Sequence, residues 1–501
     1  DPEGRLAAFE QALGATYAAL PKDPSGGLGH QAVRYALHRL FVQRWGWYIK
    51  GLEPTAGATS ASSREWAPSF LQARLERDLG SRGASLRELA ALAAALEDLA
   101  SQESRERLVG AYAFLGLEPK GKVDTEGATR AATIFYTQFL SAVDLDLAAQ
   151  TSDEAEAWQM AMNATADYPG WGEAKRWLHG VLEPHFRDAA DFSFDQVAEM
   201  TLQIEKRYHE FNDIECRDLK KTLQEIEGRR AGRVRLPAFY RKALFSHWAF
   251  NEKADYLRAI GSLVESDPGD LAPSVVVPNY LSARTNCLEA SGLYALCCRN
   301  ECEDLLSQLE RQVGAPHAPE KTISELAARL ASDTVAAPRE LSPALLQRLA
   351  RVAASNGGTV PLHGRLFAQW MHHAFPRECP YPHEAGATSP QTPDEWMQQT
   401  GQQAHNLTEE ELRAHVESDT CAAQPGDSYA APAAGCGGVE EELPWSDTEE
   451  LLEEPPEPSA AAFWLLLLMP FLSGGLALSP KKKKSPMSLA PEVVTSAEYG
   501  V

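Results

Sequence analysis

Residues 363–383 hold the densest set of chemically capable side chains in the sequence: His363, His372, His373 and His383, with Glu378 and Cys379. Imidazole and thiolate are the usual ligands of zinc, so a metal centre is the chemistry this composition could serve. The spacing argues for something plainer. Leu366, Phe367, Trp370, Met371 and Phe375 recur at helical intervals and make one apolar face, which does not hold His363 and His373 to a common side. There is no HExxH, in which two histidines one turn apart bracket a glutamate base, and no CxxC pair. The expected structure is an aromatic-rich helix ending at Pro376, then a disulfide at Cys379 and a rigid Pro380-Tyr381-Pro382 turn. If the block does bind a metal, its candidate ligands are His363, His373, Cys379 and His383.

Other catalytic templates are missing. The body has no GxSxG nucleophile elbow and no GxxxxGK[ST] phosphate loop, and Gly435-Cys436-Gly437-Gly438 lies outside any strand-to-helix turn. Cys287 or Cys302 with His363 would make a thiol–imidazole pair, but disulfide bonding is the stronger expectation for these cysteines. No catalytic residue is assigned.

Residues 219–244 carry a different signature. Leu219, Leu223 and Ile226 lead into a loop with Gly232 at a sharp turn and Val234 two residues on, and Phe239 and Leu244 follow, as in an EF-hand. A calcium loop needs oxygen ligands at its first, third, fifth and twelfth positions. Here those are Glu227, Arg229, Ala231 and Ala238, and Arg229, Arg230, Arg233 and Arg235 would repel the ion. Residues 116–127, with Gly121 at the turn and Val123 at the contact, offer only Glu118. Both segments read as degenerate EF-hand-like helix-loop-helix elements, with an ordinary helical hairpin as the alternative. Calcium is not expected, and no cofactor is assigned.

The elements around these segments are mostly helical. Ser85 with Glu88 forms a capping box, and Leu86, Leu89, Ala93, Leu96 and Ala100 follow as one apolar stripe. Similar starts occur at Ser193, Thr322, Thr392 and Thr408, and Ser342-Pro343 opens a run closed by Asn356-Gly357. Strand patterns are scarce. The β-branched run 274–277 is the best candidate for isolated extended structure, with no obvious partner.

Charge then fixes an expected topology. The 501 residues include 47 Lys and Arg against 70 Asp and Glu, a formal charge of -23, which argues against a general nucleic-acid binder. With 44% hydrophobic and 23% charged residues the bulk is of globular composition. Between Arg413 and Lys481 there is no lysine or arginine, while Glu440 to Glu442, Asp447, Glu449, Glu450, Glu453, Glu454 and Glu457 crowd the stretch. It reads as a disordered acidic stalk in which Leu443, Pro444 and Trp445 could dock on the body or on a protein partner. Residues 460–478 are uncharged and predominantly apolar, long enough to span a membrane, and Lys481, Lys482, Lys483 and Lys484 follow at once. The tail is therefore expected in the cytoplasm and everything before the span outside it. No apolar leader appears at Asp1-Pro2-Glu3-Gly4, so a lumenal body requires a leader already removed or lying ahead of this sequence.

An oxidising compartment suits the cysteines. Cys216, Cys287, Cys297, Cys298, Cys302 and Cys379 lie in the body and are disulfide candidates, with Cys421 and Cys436 in the stalk. Adjacent Cys297 and Cys298 should join different partners, and the pairing is otherwise open. Asn163 and Asn406 head glycosylation triplets. The organisation expected is an N-terminal helical domain (1–190), an EF-hand-like region (191–270), a Cys/His-rich helical domain (271–415), the stalk (416–459), the span (460–478) and a basic tail (479–501).

Asn286-Cys287-Leu288-Glu289-Ala290-Ser291, Cys297-Cys298-Arg299-Asn300-Glu301-Cys302, the 363–383 block and Leu443-Pro444-Trp445 together resemble an uncharacterised family of single-pass membrane proteins from unicellular algae. The resemblance covers residues 35–452. It implies an architecture and no activity. The function expected is a membrane protein with a helical, disulfide-stabilised lumenal or extracellular domain in a non-enzymatic interaction or structural role. The alternative is a membrane-tethered metalloenzyme using the 363–383 block.

Overall fold

Ser85, Ser193, Thr392 and Thr408 each start a helix through a complete capping box: the hydroxyl accepts the N–H three residues on, and Glu88, Gln196, Glu395 and Glu411 reach back. Ser342 caps its helix alone through the Leu345 N–H. Thr322 does not act as a cap, because Pro319 starts that helix earlier and places Thr322 inside its first turn.

The computed structural model describes residues 2–52, 83–141, 170–187, 190–228, 230–265, 273–419 and 445–452. Among them the chain is mostly helical, with 15 α-helices. In order these are α1 (Pro2–Ala19), α2 (His30–Trp45), α3 (Leu86–Phe114), α4 (Thr125–Ser141), α5 (Trp171–Leu182), α6 (Phe194–Gln224), α7 (Leu236–Ala243), α8 (Ala254–Ala259) and α9 (Val277–Leu281). They continue with α10 (Glu301–Val313), α11 (Glu320–Ala327), α12 (Pro343–Ser355), α13 (Arg365–Ala374), α14 (Pro393–Thr400) and α15 (Glu409–Glu417). Short strands join them: β1 (Trp47–Ile49), β2 (Lys122–Asp124), β3 (Asp191–Ser193), β4 (Arg233–Arg235), β5 (Leu263–Val264), β6 (Ser274–Val276), β7 (Tyr294–Leu296), β8 (His317–Ala318) and β9 (Val360–Pro361).

The strands pair antiparallel across sequential helix–strand–helix units. Val123 of β2 faces Phe192 of β3, Val234 of β4 faces Val275 of β6, and Ala318 of β8 faces Val360 of β9. Leu28 and Ala84 form an isolated bridge in the same sense. After every one of these central residues except Val360, the next helix begins two residues later. Gly26, Gly232 and Gly358 stand two residues ahead of Leu28, Val234 and Val360 with φ of 85°, 74° and 91°, a left-handed turn that a β-carbon resists. At Gly232 a β-carbon would also collide with the Pro376 carbonyl oxygen. The run 274–277 is thus not isolated: β6 lies between β4 and β5, and Val277 already belongs to α9.

Three cores fill the body. The first gathers residues of α1 to α6 with Trp47, Ile49, Tyr294 and Leu296, where β1 pairs with β7 and the Trp47 and Tyr294 rings stack at 4.7 Å. The second lies between α10, α11, α12 and α13 around Leu309, Leu349 and Trp370, and the third around Val234, Phe239, Phe250 and Tyr280. Helix α6 serves two of them: Val197, Ile204, Tyr208 and Phe211 enter the first, Leu219 and Leu223 the third. The chain divides into Asp1–Glu453 and Glu454–Val501, so the expected body segments 1–190, 191–270 and 271–415 fall in one unit. No helix among the described residues is long and apolar enough to cross a membrane. The expected span at 460–478 and the tail at 479–501 lie outside the described residues.

Candidate functional site

Helix α13 carries the histidine block, and its neighbours disperse it. His363 Nε2 lies 2.8 Å from Glu310 Oε1 on α10, His372 Nδ1 is 2.7 Å from the Cys379 carbonyl, and His383 Nε2 is 2.8 Å from the Gly261 carbonyl. His373 stacks on Trp445, with ring centroids 5.9 Å apart. Cys379 is bonded to Cys302. The four candidate ligands His363, His373, Cys379 and His383 therefore face four different neighbourhoods. Among the described residues no group of three His, Cys, Asp or Glu is placed to hold a metal.

All six body cysteines form disulfides. Cys216 bonds Cys298 and Cys287 bonds Cys297, so the adjacent pair does join different partners, and Cys302 bonds Cys379. Cys421 and Cys436 lie outside the described residues, as do Asn163, Leu443 and Pro444. Asn406 is half-buried, its backbone bridged to Glu252 and its amide oxygen enclosed.

A buried ionic cluster, which no sequence motif marks, sits beside the block. Arg39 on α2 contacts Glu303 Oε2 at 2.7 Å and Glu310 Oε1 at 2.5 Å, and donates to Ser307 Oγ at 2.6 Å. Thr16 of α1 donates to Glu310 Oε2 at 3.3 Å, and Tyr35 meets the His363 ring edge-on at 5.5 Å. Burial pushes the Glu310 carboxyl up, but His363 and Arg39 outweigh it and hold the group below the usual carboxylate range. One carboxylate thus joins α1, α2, α10 and the turn before α13.

Residues 445–452 of the expected disordered stalk lie against α12 and α13, with Trp445 docked on the body, one of the two places expected for it. Arg365 donates from Nε to the Thr448 carbonyl (2.8 Å) and from Nη2 to the Ser446 carbonyl (3.2 Å). Gln369 donates to the Ser446 carbonyl and accepts its N–H, both at 3.3 Å. Glu449 supplies what the sequence around Gly364 lacks: Oε1 accepts the Leu366 N–H (3.0 Å) in the first turn of α13, and Oε2 accepts from Asn356 (2.8 Å). Leu451 bridges Gly364, and the Arg348 guanidinium lies 5.3 Å from the Trp445 ring. Glu449 finds a backbone N–H and an amide, and Glu450 accepts the Ala385 N–H, so an acid-rich run can dock where composition alone predicts solvation.

In the 227–238 loop, expected above to be EF-hand-like, the first-position carboxylate is taken up within the chain. Glu227 accepts the Gly232 N–H at 3.0 Å with one oxygen and Arg377 Nε at 2.7 Å with the other. In the turn after α1, Lys22 donates to the Tyr17 and Leu20 carbonyls, while Asp23 accepts from Ser25 and from the Gly27 and Gly83 amides. The ammonium and guanidinium groups stand against oxygens that a free ion would otherwise need.

Buried histidines set the acid response. Burial, with nearby arginines, lowers His38 and His372 to about 4 and His373 to about 3. A histidine depressed in the fold contributes stability above its unfolded value near 6.5, and that contribution is lost as pH falls toward the folded value. Between pH 6.5 and 4 each is worth about 3 kcal/mol. Glu205 acts in the opposite sense, since burial raises it to about 7 and its contribution fades as pH rises from 4.5. Three histidines outweigh one glutamate, so the melting temperature is expected to fall steeply between pH 6.5 and 4, and less steeply in His373→Phe. A melting temperature constant over that range would contradict the assignment.

Comparison with known proteins finds no matching family model, no similar curated protein and no similar solved structure.

Proposed function

We propose that the chain is a membrane-tethered, non-enzymatic protein whose disulfide-locked helical body, built from degenerate EF-hand-like pairs, serves an interaction or structural role on the lumenal or extracellular side. The observation that carries the reading is the commitment of the 363–383 block to structure: a carboxylate contact, a ring stack, a disulfide and a main-chain contact use its four candidate ligands, and His372 makes a further main-chain contact. Three disulfides favour an oxidising compartment. The uncharged run 460–478 followed by four lysines favours a single span with a cytoplasmic tail. Arg377 on the Glu227 carboxylate favours an EF-hand-like pair at residues 219–244 that works without calcium.

Protease added to sealed microsomes is expected to trim only the tail and to leave residues 1–459 protected. Digestion of the body from the cytosolic side would overturn the topology. The purified protein is expected to carry less than about a tenth of an equivalent of zinc, copper or iron under conditions that retain structural metals; a full equivalent, lost on His363→Ala, would restore the metalloenzyme reading.

A further inference from the structure

Two polar side chains make the α12–α13 face more than a resting place for 445–452. Arg365 is 6% exposed and Gln369 0% exposed. Within the body, Arg365 donates only to the Pro382 carbonyl (3.1 Å), and Gln369 receives only the Tyr381 hydroxyl (3.4 Å). Their remaining groups are matched by the main chain of residues 446 and 448, as an edge strand would be matched. Main-chain contacts of this kind hold an extended segment whatever its sequence. Selectivity enters at two places: the Trp445 ring between His373 and Arg348, and the Glu449 carboxylate on the start of α13. These lie four residues apart. Ser446, between them, donates to Glu384, so the groove also has a point that repels added negative charge.

We propose that this groove is a peptide-recognition site for extended acidic segments of the form W-x-x-x-E, occupied here by the chain's own residues 445–452 and open to the same motif of a partner protein. The internal segment is the resident competitor. It is joined to Asp419 through residues 420–444 of the same chain, and such covalent tethering presents it at an effective concentration on the order of millimolar. A partner peptide therefore competes poorly with the intact chain and well with one whose own segment is weakened. This recognition does not depend on the membrane topology proposed above, and either can fail while the other stands.

The test uses the full-length protein and a fluorescein-labelled peptide of residues 445–452. The variant Trp445→Ala/Glu449→Ala is expected to bind the peptide at least about tenfold more tightly than the unaltered chain, as release from a millimolar-range internal competitor requires. Changing Trp445→Ala or Glu449→Gln in the peptide should each weaken binding at least about tenfold, and Ser446→Glu should weaken it through Glu384. No binding to the double variant, with its helicity and disulfides intact, would overturn the proposal. Should that variant fail to fold, a protease site placed between Gly438 and Trp445 of the otherwise unaltered chain gives the same decision. After cleavage, excess peptide is expected to displace the C-terminal fragment, and a fragment that remains bound against the peptide would make the segment a fixed part of the fold.

Discussion

Arg39→Met is expected to destabilise the protein by about 3–5 kcal/mol, the range for removing one partner of a buried ion pair. Arg39 and Glu310 are 5% and 0% exposed, so neither charge can fall back on solvent. Without the guanidinium, Glu310 keeps His363 and Thr16, and Glu303 keeps a hydroxyl contact from Tyr35. The expected response is a shift of the Glu310 carboxyl back toward protonation, because the first force acting on it is burial. The double variant Arg39→Met/Glu310→Leu should recover part of the loss, since the fully buried carboxylate leaves with the guanidinium and the Glu303 carboxylate that remains is partly exposed to solvent. Urea unfolding of the two single variants and the double variant closes the cycle. Additive losses would show that the two groups do not act together.

Removing the Cys302–Cys379 bond is expected to cost about 4 kcal/mol by the chain-entropy relation, because it closes a loop 77 residues in separation. Cys287–Cys297 spans a separation of 10 and should cost about 3 kcal/mol on the same relation. The variant Cys302→Ala/Cys379→Ala is the cleaner test, because Cys379 is fully buried and a serine there would bring an unmatched hydroxyl. The larger effect has a second source. The bond ties the start of α10, the helix that carries Glu310, to the turn beyond α13, the helix that His363 precedes. A loss below about 1 kcal/mol in urea unfolding would contradict this expectation.

Local signals in the sequence proved legible where they act locally. The capping boxes at Ser85, Ser193, Thr392 and Thr408 need only neighbours within one turn, and all four form. The spacing Gly232-x-Val234 placed a turn and a contact correctly, and the same spacing at Gly26-x-Leu28 and Gly358-x-Val360 was there to be noticed. The pairings were not legible. Val123 meets Phe192 and Val234 meets Val275 across long separations, with two or three residues of strand each, too little for a period to register. Glu310 resembled any acid on an amphipathic helix until α1 and α2 packed over it. The docked segment was legible in part: Trp445 stood out as a residue able to dock, but the acid-rich composition of 445–452 is that of a solvated run and does not show the N–H groups at the start of α13 that receive Glu449.

Helix α6 has a consequence for how such a chain can have been assembled and can be recombined. It is at once the exit helix of the pair built on β2 and β3 and the entry helix to the pair built on β4 and β6. Its two ends belong to different cores. A crossover between these pairs, or an insertion at their midpoint, would give each product half of one helix and an open face on one core. The repeated units are therefore not cassettes that genetic exchange can deal out singly. An exchange that keeps both cores whole must carry α6 entire, and substitutions on the two ends of α6 are constrained by different sets of neighbours within a single helix.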